Sequence, residues 1–219
     1  MRVVIAGGHG KIALLLHRRL AERGDTPVGL IRNPAQAETV RAAGATPVLC
    51  DLEHTPVADL AAHLADADAV IFAAGAGPGS GAARKDTVDR AAAALLADAA
   101  TTAGVRRYLL VSSMGVDDPP AAGTDDVWAA YLRAKRAAED DLRDRDLDWT
   151  VLRPGRLTDD QPTATVTLTR HAGRGAISRA DVAHVLTALL DEPRTTGATL
   201  ELVAGPTPIA DAVRATITT

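Results

Sequence analysis

Aromatic side chains are scarce in this chain: two tryptophans, two tyrosines and one phenylalanine among 219 residues. A tyrosine in a chemically suggestive position is therefore hard to dismiss as accident. Cysteine is rarer still. Cys50 stands alone, which excludes an internal disulfide and fits a reducing, cytoplasmic setting. No excess of positive charge exists (net charge −4), and no basic face stands out, so nucleic acid is not an expected partner. No apolar run approaches the roughly 20 residues that span a bilayer, and a first strand starting at Arg2 makes a secretory leader unexpected. The six histidines, His9, His17, His54, His63, His171 and His184, form neither a Cys/His cluster nor an H-E-x-x-H motif, so no metal site is expected. A G-x-S-x-G elbow and a Walker A loop are also missing, which weakens hydrolase and P-loop readings. Lysine is sparse and alanine and arginine abundant; that bias suggests no function.

What is present begins at the N-terminus. Arg2-Val3-Val4-Ile5-Ala6 is a short apolar run that breaks into Gly7-Gly8-His9-Gly10-Lys11-Ile12-Ala13. Ile12, Leu15, Leu16, Arg19 and Leu20 then recur at helical spacing. Strand, glycine turn and helix in that order form the entry to a nucleotide-binding α/β fold. Gly7 and Gly10 remove Cβ atoms where chain or phosphate must come close, and Gly8 adds freedom in the turn. The amides and dipole of the helix end then face the pyrophosphate. The spacing Gly7-x-x-Gly10-x-x-Ala13 departs from G-x-G-x-x-G, with Ala13 in the place of the third glycine. A bare strand–helix connection is the alternative.

Strand-like and helix-like segments alternate thereafter. Strands are expected at Pro27–Ile31, Thr46–Cys50, Ala69–Ala73, Arg107–Ser112 and Trp149–Leu152. Helices are expected from Asn33-Pro34 to Ala43, at Val57–Leu64, at Ala83–Ala103 with a stop at Gly104, and at Asp125–Arg145. Thr163–Thr169 reads as an exposed strand, Arg179–Leu190 as a helix, Thr199–Val203 as a strand and Pro208–Thr216 as a last helix. The pattern predicts an α/β, Rossmann-like, doubly wound parallel sheet. Residues 1–219 are expected to form one domain, with 1–153 as the cofactor-binding core and 154–219 as a small substrate-side region. Gly75–Gly81 and Asp117–Asp126 are the two loop-like stretches, both after strand C-terminal ends.

Candidate site residues sit at those strand ends. Arg32, with Asn33, ends the second strand, where a cation accommodates a ribose 2′-phosphate. This favours NADP(H) over NAD(H), against the alternative of a solvated arginine. Lys11 adds charge or is simply exposed. Asp51-Leu52 ends the third strand, where Asp51 accepts from adenine or caps a turn. Ala73-Ala74-Gly75 ends the fourth and lets a cofactor cross the sheet edge, or is an ordinary exit. Ser112-Ser113 ends the fifth strand, and Tyr131 and Lys135 share a face of the next helix. The ammonium favours a phenolate, which suits a tyrosine proton donor, and a serine hydroxyl could hold a carbonyl oxygen. The alternative is a half-buried helix anchor at Tyr131. Arg153-Pro154-Gly155 ends the sixth strand, bordering the nicotinamide or merely terminating the strand. His171, in Arg170–Arg174, rims a pocket or lies on the surface.

Together with Ile177-Ser178-Arg179-Ala180-Asp181-Val182-Ala183, these residues resemble the atypical, single-domain branch of the short-chain dehydrogenase/reductase superfamily, which includes NmrA-like and biliverdin reductase B-like proteins. The resemblance runs over nearly the whole chain. It implies an NAD(P)-binding fold, with Ser113 polarising a carbonyl, Tyr131 as proton donor and Lys135 as its partner touching the nicotinamide ribose; Ser112 competes for the serine role. Gly7, Gly8, His9, Gly10, Lys11, Ile12, Arg32, Asn33, Asp51, Leu52, Ala73, Ala74, Gly75, Ser112, Lys135, Pro154 and Gly155 would hold the cofactor. The implied activity is NADP(H)-dependent hydride transfer to or from a small carbonyl, quinone or flavin-like substrate. A non-catalytic NADP-binding redox sensor, and an epimerase or isomerase using cofactor transiently, are the alternatives. The expected partner is a small-molecule substrate, with no membrane; the oligomeric state is left open, a homodimer being one option. Ser178 and Asp181 read as a helix cap.

Overall fold

In β1 (Arg2–Ala6), Val3 and Ile5 face one way and Val4 and Ala6 the other, and all four are fully buried. A strand covered on both faces belongs in a parallel sheet flanked by helices. The computed structural model, which describes residues 1–77, 79–118 and 124–217, has that architecture. After β1 come α1 (Lys11–Glu22), β2 (Thr26–Ile31), a 3-10 turn (Pro34–Gln36) leading into α2 (Ala37–Ala42), β3 (Thr46–Leu49), α3 (Val57–His63) and β4 (Ala69–Phe72). Then follow α4 (Ala82–Arg84), a π-helical segment (Lys85–Ala91), α5 (Ala92–Ala103), β5 (Arg107–Val111), α6 (Asp126–Arg143) and β6 (Asp148–Pro154). The remainder is β7 (Arg156–Thr158), β8 (Thr165–Thr169), β9 (Ala176–Ser178), α7 (Arg179–Leu190), β10 (Ala198–Ala204), β11 (Thr207–Pro208) and α8 (Ile209–Ala215).

The main sheet has the order β11-β8-β10-β6-β5-β4-β1-β2-β3. From β10 to β3 every neighbouring pair is parallel, and β8 runs antiparallel to β10. α1, α7 and α8 cover the Val3–Ile5 face, and α3, α5 and α6 cover the Val4–Ala6 face. Strand order reverses between β1 and β4, the switch point where such sheets open a ligand crevice.

Several elements depart from the sequence reading. The long helix after Gly81 is interrupted by the π-helical segment, whose hydrogen bonds reach one residue further along the chain than those of its α-helical flanks. The Thr163–Thr169 strand is only half exposed: Val166 and Leu168 point into the core while the threonines alternate outward. It lies between β10 and the two-residue β11. β7 and β9, three residues each, pair in a separate parallel ribbon and are too short to show a period. Residues 78 and 119–123, within the two loops expected from the sequence, lie outside the described residues. Ser178 caps α7 by accepting from the Asp181 amide at 3.0 Å. The buried Asp181 carboxylate in turn accepts from the Thr163 and Ala164 amides, fixing the turn into β8. No described helix is long and apolar enough to cross a membrane.

Candidate cofactor and substrate site

The glycine turn is held by close backbone approach. A Cβ on Gly7, at φ +79°, would lie 2.6 Å from the Ala74 Cα, and one on Gly8 would lie 2.6 Å from the Gly29 Cα. Gly8 therefore permits packing on β2 as much as it supplies freedom. Its amide donates to the Leu30 carbonyl at 2.9 Å, and the Gly10 amide donates to the Gly7 carbonyl at 2.8 Å. A Cβ on Gly10 would meet only the Gly7 and Ala73 carbonyl oxygens, at 3.2 and 3.8 Å. The start of α1 thus faces open space bounded by backbone, which fits a phosphate rather than a side chain.

Beneath the turn, His17 is fully buried. Its Nε2 lies 3.0 Å from the Gly8 carbonyl oxygen, which can only accept, so Nε2 carries the proton. Nδ1 is buried without a hydrogen-bond partner among the described residues. Burial pulls the His17 pKa down to about 4, partly offset by the Gly8 bond. The unfolded chain takes up this proton near pH 6.5 and the folded one only near 4, so the stabilising contribution is complete above 6.5 and lost on acidification through that window. The loss should reach about 3 kcal/mol by pH 4. His184, also lowered by burial, acts in the same direction, so the measurement is urea unfolding at pH 7 and 4.5 against a His17→Gln variant. An identical pH slope in both proteins would remove His17 from the account.

Two clefts meet at the C-terminal ends of β1 and β4. The first, about 330 Å3, is walled by Gly7, His9 and Gly10, by Arg32, by Asp51, Leu52 and Glu53, and by Ala73–Ala76 and Arg84. The second, about 530 Å3, shares Ala73–Ala76 and adds Ile12, Lys85, Asp89, Ser112, Trp128, Tyr131 and Lys135. Gly8, Lys11, Asn33, Ser113, Pro154 and Gly155 lie outside both sets of walls. Asn33 caps the following turn by accepting from the Ala35 amide. Lys11 pairs with Asp159 across an exposed gap. Gly155 lets β6 pass the Gly175 carbonyl, which a Cβ would approach to 2.5 Å. Asp51 both borders the first cleft and closes a turn, accepting from the His54 ring and the Glu53 amide; these bonds, His54 first, hold its carboxyl below the usual range.

In the second cleft Tyr131 stacks on Trp128 with centroids 5.0 Å apart. The Lys85 and Lys135 ammonium groups lie 5.4 and 5.8 Å from the Tyr131 ring centre. Lys135 is buried, donates to the Val111 carbonyl at 3.0 Å and pairs with Asp89 Oδ1 at 3.4 Å. Asp89, fully buried, accepts through Oδ2 from the Ala76 amide at 3.2 Å. Lys85 donates to the Gly77 carbonyl at 3.0 Å. The π-helical segment therefore presents Lys85 and Asp89 to the cleft and ties both to the loop after β4.

Of the two serines, Ser112 lines the cleft and Ser113 does not; the Ser113 hydroxyl donates to its neighbour's carbonyl, Met114, at 3.1 Å. Ser112 donates to Glu139, one helical turn beyond Lys135. Glu139, fully buried, also receives Arg153 Nε and Nη2 at 2.9 and 2.6 Å and Arg143 at 2.6 Å. Arg153 continues to Asp117. Burial opposes its charge, but Glu139 and then Asp117 outweigh burial and raise its pKa. Lys85, Asp89, Trp128, Glu139, Glu53 and Arg84 were not singled out from the sequence. Glu139 was the most accessible of them, since it extends the Tyr131–Lys135 spacing by another four residues. Among the described residues no cluster of three or more His, Cys, Asp or Glu could hold a metal.

This geometry fits a dinucleotide: a helix end and glycine turn for phosphate, a small-residue wall at Ala73–Gly75, and two joined clefts. Comparison with known proteins agrees. A family model described as NAD(P)H-binding matches residues 7–193. YhfK of Bacillus subtilis, named as an uncharacterized sugar epimerase, is 34% identical over 98% of this chain and 99% of its own. A Bacillus halodurans structure whose name suggests an NAD-dependent epimerase/dehydratase superposes with TM-score 0.90 at 38% identity, covering 98% of this chain and 99% of the other. The oxidoreductase YlbE of Lactococcus lactis gives TM-score 0.87 at 25% identity over 100% and 98%. The chain belongs to the NAD(P)H-binding family, with the Rossmann-like fold of atypical short-chain dehydrogenase/reductase proteins.

Proposed function

We propose that the chain is an NADP(H)-dependent oxidoreductase acting on a small carbonyl, quinone or flavin-like substrate. The observation that carries this reading is the meeting of Tyr131, Lys135 and Ser112 in a cleft continuous with the glycine-turn cleft through Ala73–Ala76. Bound NADPH supplies the hydride. Tyr131 donates its hydroxyl proton to the substrate oxygen, and the flanking Lys85 and Lys135 ammonium groups offset the negative charge left on the phenol oxygen. Asp89 and the Val111 carbonyl hold Lys135 in place. Ser112, the serine on the cleft wall, holds the substrate oxygen once its hydroxyl proton turns from Glu139; Ser113 takes that role only by leaving Met114. Residues 154–219 divide their work. β8, β10 and β11 complete the sheet, while His171, Gly173, Arg174 and Glu201 line a further hollow of about 600 Å3 beside Trp128.

NADPH consumption against a panel of quinones, flavins, aldehydes and ketones tests the reading, and turnover with at least one class is expected. The names of the Bacillus relatives favour a second reading, an epimerase in which hydride leaves and returns within one turnover. It would interconvert substrate with no net NADPH consumption. Cofactor binding without either reaction would point to a sensor.

Cofactor choice has its own test. Arg32→Ala should weaken NADPH binding by about 1–3 kcal/mol, the range for a charge-assisted phosphate contact, and leave NADH binding nearly unchanged. Equal losses in paired titrations would sink the NADP(H) assignment.

A further inference from the structure

Arg32 follows β2 and Arg84 ends α4, yet both reach one oxygen, Oε2 of Glu53, at 3.4 and 2.5 Å. All three side chains wall the first cleft. Two guanidinium groups so close repel one another unless an anion lies between them, and the chain supplies that anion itself. Glu53 is well placed for it. Its side chain is 19% exposed, against 53% for Arg32 and 39% for Arg84, and its other oxygen accepts from the Thr87 hydroxyl at 2.7 Å. A phosphate monoester carries more charge than a carboxylate and three acceptor oxygens, so it can bridge both planar guanidinium groups through paired hydrogen bonds.

We propose that Arg84 is a second ligand for the 2′-phosphate of NADP(H), opposite Arg32, and that Glu53 is an internal competitor for the same two arginines. The proposal rests on the NADP(H) reading and deepens it. Phosphate entry displaces Glu53 Oε2 from the pair while the Thr87 contact retains the side chain. Cofactor preference is then a balance between two anions for one cationic clamp. NAD(H), lacking the phosphate, leaves Glu53 where it is.

The test compares adenosine 2′,5′-bisphosphate with AMP, which differ only in the 2′-phosphate, by calorimetric titration of the full chain. Arg84→Gln should weaken the bisphosphate roughly tenfold or more and leave AMP unchanged. Glu53→Gln, which keeps an acceptor for Thr87, should tighten the bisphosphate several-fold and leave AMP unchanged; raised salt should shrink the difference. Should Glu53→Gln melt before it can be titrated, Glu53→Asp, with a shorter reach to both arginines, should show the same direction. An Arg84→Gln effect equal on both probes, or absent, overturns the clamp, as does a Glu53 variant that binds the bisphosphate no more tightly. Arg32→Ala separates the two levels. If its loss is selective for the bisphosphate while that of Arg84→Gln is not, the clamp fails and the NADP(H) reading stands. If neither arginine variant is selective, the NADP(H) reading fails as well.

Discussion

Replacing Tyr131 by phenylalanine is expected to lower kcat by about 10²–10⁴-fold, the usual contribution of a positioned general acid, with NADPH affinity unchanged. The substitution removes one oxygen and little else. The ring, its stack on Trp128 and its proximity to the Lys85 and Lys135 ammonium groups all survive. The measurement is single-turnover hydride transfer with whichever substrate the panel yields, alongside NADPH titration. A loss confined to the chemical step identifies Tyr131 as the proton donor. Turnover within tenfold of the parent would move that role to another group.

The largest stability effect is expected at Glu139. Its carboxylate receives Ser112, Arg143 and two nitrogens of Arg153, and both it and Arg153 are buried. Glu139→Ala leaves the Arg153 guanidinium with the half-exposed Asp117 as its one ionic partner among the described residues. Breaking a buried pair from one side costs on the order of 3–5 kcal/mol, which for a chain of this length lowers Tm by roughly 10 °C. Asp146→Ala, which removes an exposed partner of Arg106, should barely move Tm. Scanning calorimetry of the two variants side by side decides the matter. A Glu139→Ala melt indistinguishable from that of Asp146→Ala would show that the network contributes no net stability.

The parts of the molecule legible in its sequence are those governed by a local period. The buried run before Gly7, the glycine turn and the strand–helix alternation each follow from short-range sterics and hydrophobic spacing. So does the Tyr131–Lys135 pair, because four residues is one helical turn. The parts that were not legible depend on contacts across the chain. Ser112 and Ser113 leave the end of a strand covered on both faces, so apolar pattern could not say which one turns to the cleft. Lys85 and Asp89 lie in what reads as one long alanine-rich helix, and their partners, the Gly77 carbonyl and the Ala76 amide, belong to the loop after β4, which no helical period points to. One faint sign existed: the chain has three lysines, Lys11, Lys85 and Lys135, and two of them are buried beside the same tyrosine. Glu53 and Arg84 are 31 residues apart, beyond any local rule.

The ring stack at Trp128 makes the molecule its own optical reporter. Trp128 is half exposed on the wall of the second cleft, whereas the other tryptophan, Trp149, packs against the core in β6. Emission from one indole should therefore respond to what enters the cleft, while the other stays constant as an internal standard. Binding of colourless ligands can then be followed without a label, and a Trp128→Phe variant, which keeps a ring against Tyr131, identifies the source of the signal.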